Sequence, residues 1–168
     1  RNITEFAQGP SGELLVGVHY TQEVWRIRAR PGFQPYCTSA PNSSGASALL
    51  LASGSASISA ANLGLNLTGL PPGAFGIIFI GRDRTYIEMV AGLQGTLCVA
   101  GAPVYRWLNH VLTASPTGTA SLVSDLTDLP WGSLPVAGET WNFQYWTRDA
   151  NPLPTANMST AVAVTFAP

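Results

Sequence analysis

Residues 140–151 read TWNFQYWTRDAN, and no other run of this chain restricts its fold so tightly. In an extended strand, successive side chains point to opposite faces. Trp141, Phe143 and Tyr145 then share one face, with Asn142, Gln144, Trp146 and Arg148 on the other. Three aromatic side chains in one row can bury roughly 150–250 Å² each. We read this run as the central strand of a β-sandwich. Its second face is too rich in polar and aromatic groups for a plain solvent surface. We expect that row to be covered by protein or by a long loop, and treat its four residues as a candidate interaction face.

The rest of the chain supplies strands to pair with it. Leu63, Leu65 and Leu67 alternate with Gly64, Asn66 and Thr68, which gives one core face and one wet face. Ala56, Ile58 and Ala60 alternate with serines over 56–61, and residues 48–52 also read as a strand. Pro71-Pro72-Gly73 forces a turn, and the apolar run 75–80 reads as a strand buried on both faces. Residues 81–95 form a long polar excursion carrying Arg82, Asp83, Arg84 and Glu88. Residues 104–112 fit a short strand or a single helical turn. Residues 117–126 place Ala120, Leu122 and Leu126 inward, 125–138 form a turn-rich loop, 149–159 another loop, and 160–166 the last strand. Short strands punctuated by Gly and Pro, with no amphipathic helix, predict an all-β protein. The specific expectation is an Ig-like antiparallel β-sandwich of about seven to nine strands with an N-terminal β-hairpin extension.

Composition sets the context. The 168 residues have room for one good core. Only 10% are charged, against roughly 25% in an average soluble protein. Such a surface suits a secreted protein or one partly covered by neighbours. All basic residues are arginines, and the formal net charge of -1 argues against a nucleic-acid partner. No apolar run reaches the roughly 18 residues of a membrane span. Arg1 is no initiator, so the chain reads as a mature or excised piece of a longer precursor. Cys37 and Cys98 are too few for a metal cage. In an exported protein they would form a disulfide, in the cytosol two buried thiols. The bridge is the expectation adopted.

Two parts of the chain carry resemblances. Residues 1–27, RNITEFAQGPSGELLVGVHYTQEVWRI, resemble the closing blade of β-propellers in sugar dehydrogenases that use pyrroloquinoline quinone. Two strands, 14–18 and 24–28, form a hairpin there, and residues 30–35 a Pro/Gly linker, giving a first unit over 1–35. Two strands cannot form a quinone or calcium site, so no cofactor is expected of this chain. The resemblance implies a propeller upstream. Over 36–168, the motifs YCT, PNSSG, GLPPGAFG, GTLCVAG, SLVSDLTDLP, GETWNFQYWTRDAN and VAVTF occur in that order. Together they resemble a C-terminal domain recurring in large secreted proteins of planctomycete-type bacteria. That resemblance implies secretion and a modular, non-catalytic role beside other protein subunits or an upstream propeller.

Chemistry is sparse. His19 and His110 lack the companions a zinc site needs. A Ser-His-Asp set assembled from His110, Asp125 and a serine has no G-x-S-x-G elbow, and we reject it. Glu88 and Glu139, the only glutamates of the second unit, have no reason to meet as a glycosidase pair. Asp125, Asp128 and Asp149 fall in loops flanking the central strand, where a calcium site is conceivable; ordinary turn chemistry is the plainer reading. Trp107, Trp131, Tyr105 and Trp146 are a candidate aromatic platform for sugar rings, led by the loop-end Trp107 and Trp131, against a reading of them as core and edge packing. Asn2, Asn42, Asn66 and Asn157 head N-x-S/T sequons, most of them expected bare. The expected role is a secreted, non-catalytic module that docks or anchors a larger extracellular protein. The alternatives are a carbohydrate-binding module, or the tail of a quinone-dependent sugar dehydrogenase.

Overall fold

The computed structural model describes residues 3–8, 14–18, 23–27, 32–89, 92–150 and 154–168. It divides into two compact units, Arg1–Arg30 and Pro31–Pro168. No described helix is long and apolar enough to cross a membrane.

The first unit is an antiparallel meander of β1 (Ile3–Gln8), β2 (Leu14–Val18) and β3 (Glu23–Ile27). The expected hairpin therefore gains a strand. Phe6, Ala7 and Gln8 pair with Val16, Leu15 and Leu14, satisfying backbone groups that β2 would otherwise expose as an edge. The sequence also reads as turns at 9–12 and 19–23; the first, and all of the second but Glu23, lie outside the described residues.

The second unit is an antiparallel β-sandwich. Its strands are β4 (Phe33–Tyr36), β5 (Leu49–Ser53), β6 (Leu63–Thr68), β7 (Phe75–Gly81), β8 (Asp83–Glu88), β9 (Leu93–Gln94), β10 (Thr96–Ala100), β11 (Tyr105–Arg106), β12 (Leu112–Thr113), β13 (Ala120–Ser124), β14 (Thr140–Ala150) and β15 (Pro154–Thr165). The large sheet runs β11-β7-β14-β15-β4, with β12 also on β7 and β9 parallel to β15. The facing sheet is β13-β6-β5. Between them lie Leu50, Leu63, Leu65, Leu67, Ile78, Ile80, Phe143, Tyr145, Val162 and Val164, all buried. A third layer, the β8–β10 hairpin, supplies the groups that contact Asn142 and Gln144 on the other side of β14.

The long pair β14–β15 carries one irregularity, and it ties the two sheets together. Gln144 pairs with Ala161 and Trp146 with Met158, so two residues of β15 oppose Tyr145. One of them, Ser159, accepts the Tyr145 N–H on its Oγ at 3.0 Å. The other, Thr160, reaches the opposite sheet: its N–H donates to Ala48 O, and its Oγ1 accepts from Leu50 N. Gly76 allows the close approach of β14, since a Cβ there would meet Trp146 O at 2.1 Å and the Tyr145 ring at 2.6 Å.

Several expectations are corrected. Residues 30–35 are not simply a linker, because Phe33–Tyr36 is an edge strand on β15. Its Pro35 suits an edge, where a missing donor costs nothing. Residues 56–61 form a turn rather than a strand, with Ser55 Oγ capping Ser57 N and Ala61 at φ +45°. The polar excursion 81–95 contains β8. Residues 104–112 follow the strand reading, with Tyr105–Arg106 and the start of Leu112–Thr113 on either side of a turn at Leu108-Asn109 that is not helical. The loop expected at 149–159 is mostly strand, since β14 reaches Ala150 and β15 starts at Pro154.

Candidate functional site

The polar row of β14 divides in two. Gln144 has no exposed surface: its Nε2 donates to Thr96 O at 2.8 Å and Ser159 O at 2.9 Å, and its Oε1 accepts from Cys98 N at 2.8 Å. Asn142 donates to Gly81 O and Arg82 O and accepts from Arg84 Nε. The β8–β10 hairpin therefore covers these two amides, with β10 backbone on Gln144 and the Arg84 side chain on Asn142. Further along, Trp146 is half-buried and Arg148 is exposed, its guanidinium 5.6 Å from the Trp146 ring centre. Only this second half of the row faces outward.

The cysteines pair, Cys37 to Cys98, with Cα atoms 6.2 Å apart. The bridge links the residue after β4 to β10, so it fastens the hairpin over Gln144. Arg84 reinforces the same junction, donating to Gln34 Oε1 and lying 4.3 Å over the Tyr36 ring. Tyr36 donates its hydroxyl to Cys98 O, and burial pushes its pKa up to about 12, against the opposing pull of Arg84.

The calcium set is not assembled. Asp149 ends β14 and accepts Ser43 N–H, while Asp128 accepts from Asn109 and pairs with His110 at 2.6 Å. Asp125 caps Thr127, whose hydroxyl and N–H together hold its carboxyl below the usual range. No group of three metal-ligating side chains occurs among the described residues. Among the described residues, no hydroxyl bonds the His110–Asp128 pair to make a triad. Glu88 and Glu139 are separated by β8, about 20 Å of strand, far beyond the roughly 9.5 Å limit of a glycosidase pair.

The sequons at Asn42 and Asn157 are closed as well. Both amides are buried and donate to backbone carbonyls, Gly69 O and Ala40 O among them. Asn66 is half-buried and donates to Ser53 Oγ; Asn2 lies outside the described residues.

The aromatic platform changes membership. Trp107 is fully buried, its indole Nε1 donating to Asp128 O at 2.7 Å, so it belongs to the core. Trp131 does border an open cleft of about 580 Å³, lined by Arg82, Asp83, Pro103, Tyr105, Ser133 and Trp141. Local chemistry explains how Trp131 gets there. Gly132 N donates to Leu129 O, closing a turn with Pro130 at its second position and Gly132, at φ +74°, at its fourth. The ring is left at the tip, stacked on Trp141 with centroids 3.9 Å apart and planes 2° from parallel. Tyr105 leans on both, at 5.7 and 6.1 Å.

Glu139 organises the base of this cleft. The turn 136–139 brings its carboxylate back to Val136 N, and the same group accepts from Trp141 Nε1 at 3.2 Å and Arg82 Nη2 at 2.6 Å. The Val136 N–H is the chief reason its pKa lies below the ordinary value; burial opposes this, and Arg82 and Trp141 assist. Arg82 lies 4.3 Å over the Trp141 ring. Trp131 occupies one face of that ring, so the guanidinium takes the other. The sequence offered Trp131 and Tyr105 as candidates but gave no sign of Trp141 and Arg82 beside them, since these residues arrive from separate strand ends and turns.

Fold and site together define a disulfide-fastened, antiparallel β-sandwich with an aromatic cleft at one end. No family model, curated protein or solved structure matches the chain.

Proposed function

We propose that residues 31–168 are a non-catalytic anchoring module of a larger extracellular protein, holding its ligand in the cleft bordered by Arg82, Asp83, Tyr105, Trp131 and Ser133. The observation that carries this reading is where the polar groups are spent. Among the described residues, no buried side-chain nitrogen or oxygen lacks a hydrogen-bond partner. Gln144, Asn142, Asp149 and the His110–Asp128 pair are committed to the fold. The cleft combines partly exposed rings with uncommitted polar groups, the usual composition of a binding site.

The disulfide supports an oxidising compartment. The separate first unit supports a modular protein, and its three antiparallel strands fit most of a four-stranded propeller blade. The test is attachment of the purified chain to envelope fragments of the cells that make it. Attachment that Trp131→Ala weakens supports the reading. No attachment, or attachment indifferent to Trp131→Ala, refutes it.

A further inference from the structure

We infer that the ligand of this cleft is a neutral carbohydrate, a step that rests on the anchoring reading above. Three features of the cleft select that chemistry. Its volume, about 580 Å³, falls within the roughly 300–1,000 Å³ of small-molecule sites. Its floor is apolar, made by the Trp131 ring, by Tyr105 tilted 52° against it and by Pro103, and the rings pack on one another without any ligand. A sugar ring presents one face of C–H groups and an edge of hydroxyls, so it can lie on such a floor while its edge stays polar.

The rim matches that edge. The Asp83 carboxylate has no hydrogen bond or ion pair to any described side chain, and the exposed Ser133 hydroxyl has none either. Arg82 is half exposed and uses one Nη2 bond on Glu139, which leaves further N–H groups to donate. A carboxylate acceptor beside hydroxyl and guanidinium donors suits sugar hydroxyls, which both give and accept hydrogen bonds.

Charge narrows the class further. Glu139 neutralises Arg82, and Asp83 adds one negative charge, so an acidic sugar or a phosphate meets net repulsion. A quaternary ammonium is held best by a cage of several ring faces, yet both faces of Trp141 are already taken, one by Arg82 and the other by Trp131. A neutral polyol avoids both conflicts.

The test is a binding titration of the full 168-residue chain, followed by NMR and by tryptophan fluorescence. The probes are neutral oligosaccharides of glucan, mannan, galactan, xylan and chitin type, with oligogalacturonate and choline as charged comparisons. At least one neutral probe should bind. Trp131→Ala should weaken it by about tenfold, the loss of one aromatic contact. Asp83→Asn should weaken it less while leaving far-UV circular dichroism and the urea midpoint unchanged, which separates lost recognition from lost folding. Absence of binding across the neutral panel, preference for oligogalacturonate or choline, or binding insensitive to both variants would overturn the inference. Envelope attachment that depends on Trp131 but survives without any neutral glycan would remove this inference and leave the anchoring reading standing. Loss of both would remove both.

Discussion

Replacing Gln144 by Leu should be among the most damaging single changes in the chain. The side chain is fully buried and serves three backbone groups: the N–H of Cys98 and the carbonyls of Thr96 and Ser159. Leucine fills a similar volume, so little cavity cost arises. The loss is in unmade hydrogen bonds. An orphaned buried N–H costs about 2 kcal/mol and each carbonyl, with its second lone pair, about 1 kcal/mol, for a total of about 4 kcal/mol. Against a typical total of about 5–15 kcal/mol, that is a large fraction. The assay is urea unfolding of the oxidised protein, where the midpoint should fall by about 2 M for an ordinary m-value. Gln144→Glu provides the control for sign. It meets two carbonyl oxygens, so burial and these acceptors raise its folded pKa above the unfolded value of about 4.3. The variant should lie closest to wild type below that value and lose stability as pH rises through the folded pKa. A Gln144→Leu protein within about 1 kcal/mol of wild type would refute the account, showing that the hairpin does not depend on this amide.

Three further outcomes follow from the same structure. Reducing the Cys37–Cys98 bridge, which spans 61 residues, should cost about 4 kcal/mol in the chain-entropy account, measured by urea unfolding with and without reductant. Tyr36, at about 12, and Tyr145, raised by burial, are neutral in the fold; their contribution is full below pH 10 and lost as pH rises through the folded values. The alkaline fall in melting temperature should therefore be shallower in Tyr36→Phe, and an unchanged fall would contradict the assignment. Glu139 is shifted the other way, so its contribution is present above about pH 4.3 and lost as pH falls through its lower folded value. Wild type and Glu139→Gln should differ at pH 7 and converge under acid, as judged by thermal melts.

How far these features could be read beforehand depends on what each residue buries. The leucine alternation of 63–68 identifies β6 because Leu63, Leu65 and Leu67 each remove a large apolar surface from water, which only one register allows. Residues 56–61 show the same period with alanine and serine, and the structure makes them a turn. Small side chains gain little from a core face, while serine hydroxyls bond neighbouring backbone and favour turns. The hairpin of β8 and β10 was hidden for the opposite reason. One of its faces is wet and the other rests on Asn142 and Gln144, so residues 83–88 carry no hydrophobic alternation to detect.

The same contrast accounts for the central strand and for the cleft. Residues 140–150 have two buried faces over most of their length, one apolar and one amide-lined, and the sequence shows both as alternating rows. The polar row of β14 reads as covered, but what covers it stays hidden, because hydrogen bonding to backbone leaves no signature in the covering sequence. The cleft is harder still. Its rings come from the start of β11, the 129–132 turn and the start of β14, and they meet only because β11 and β14 both pair with β7. Topology, not local pattern, converts an isolated Trp131 into a platform. For that reason the substitution most informative about function is Asp83→Asn, which alters the rim without touching the stack, the ion pair or the core.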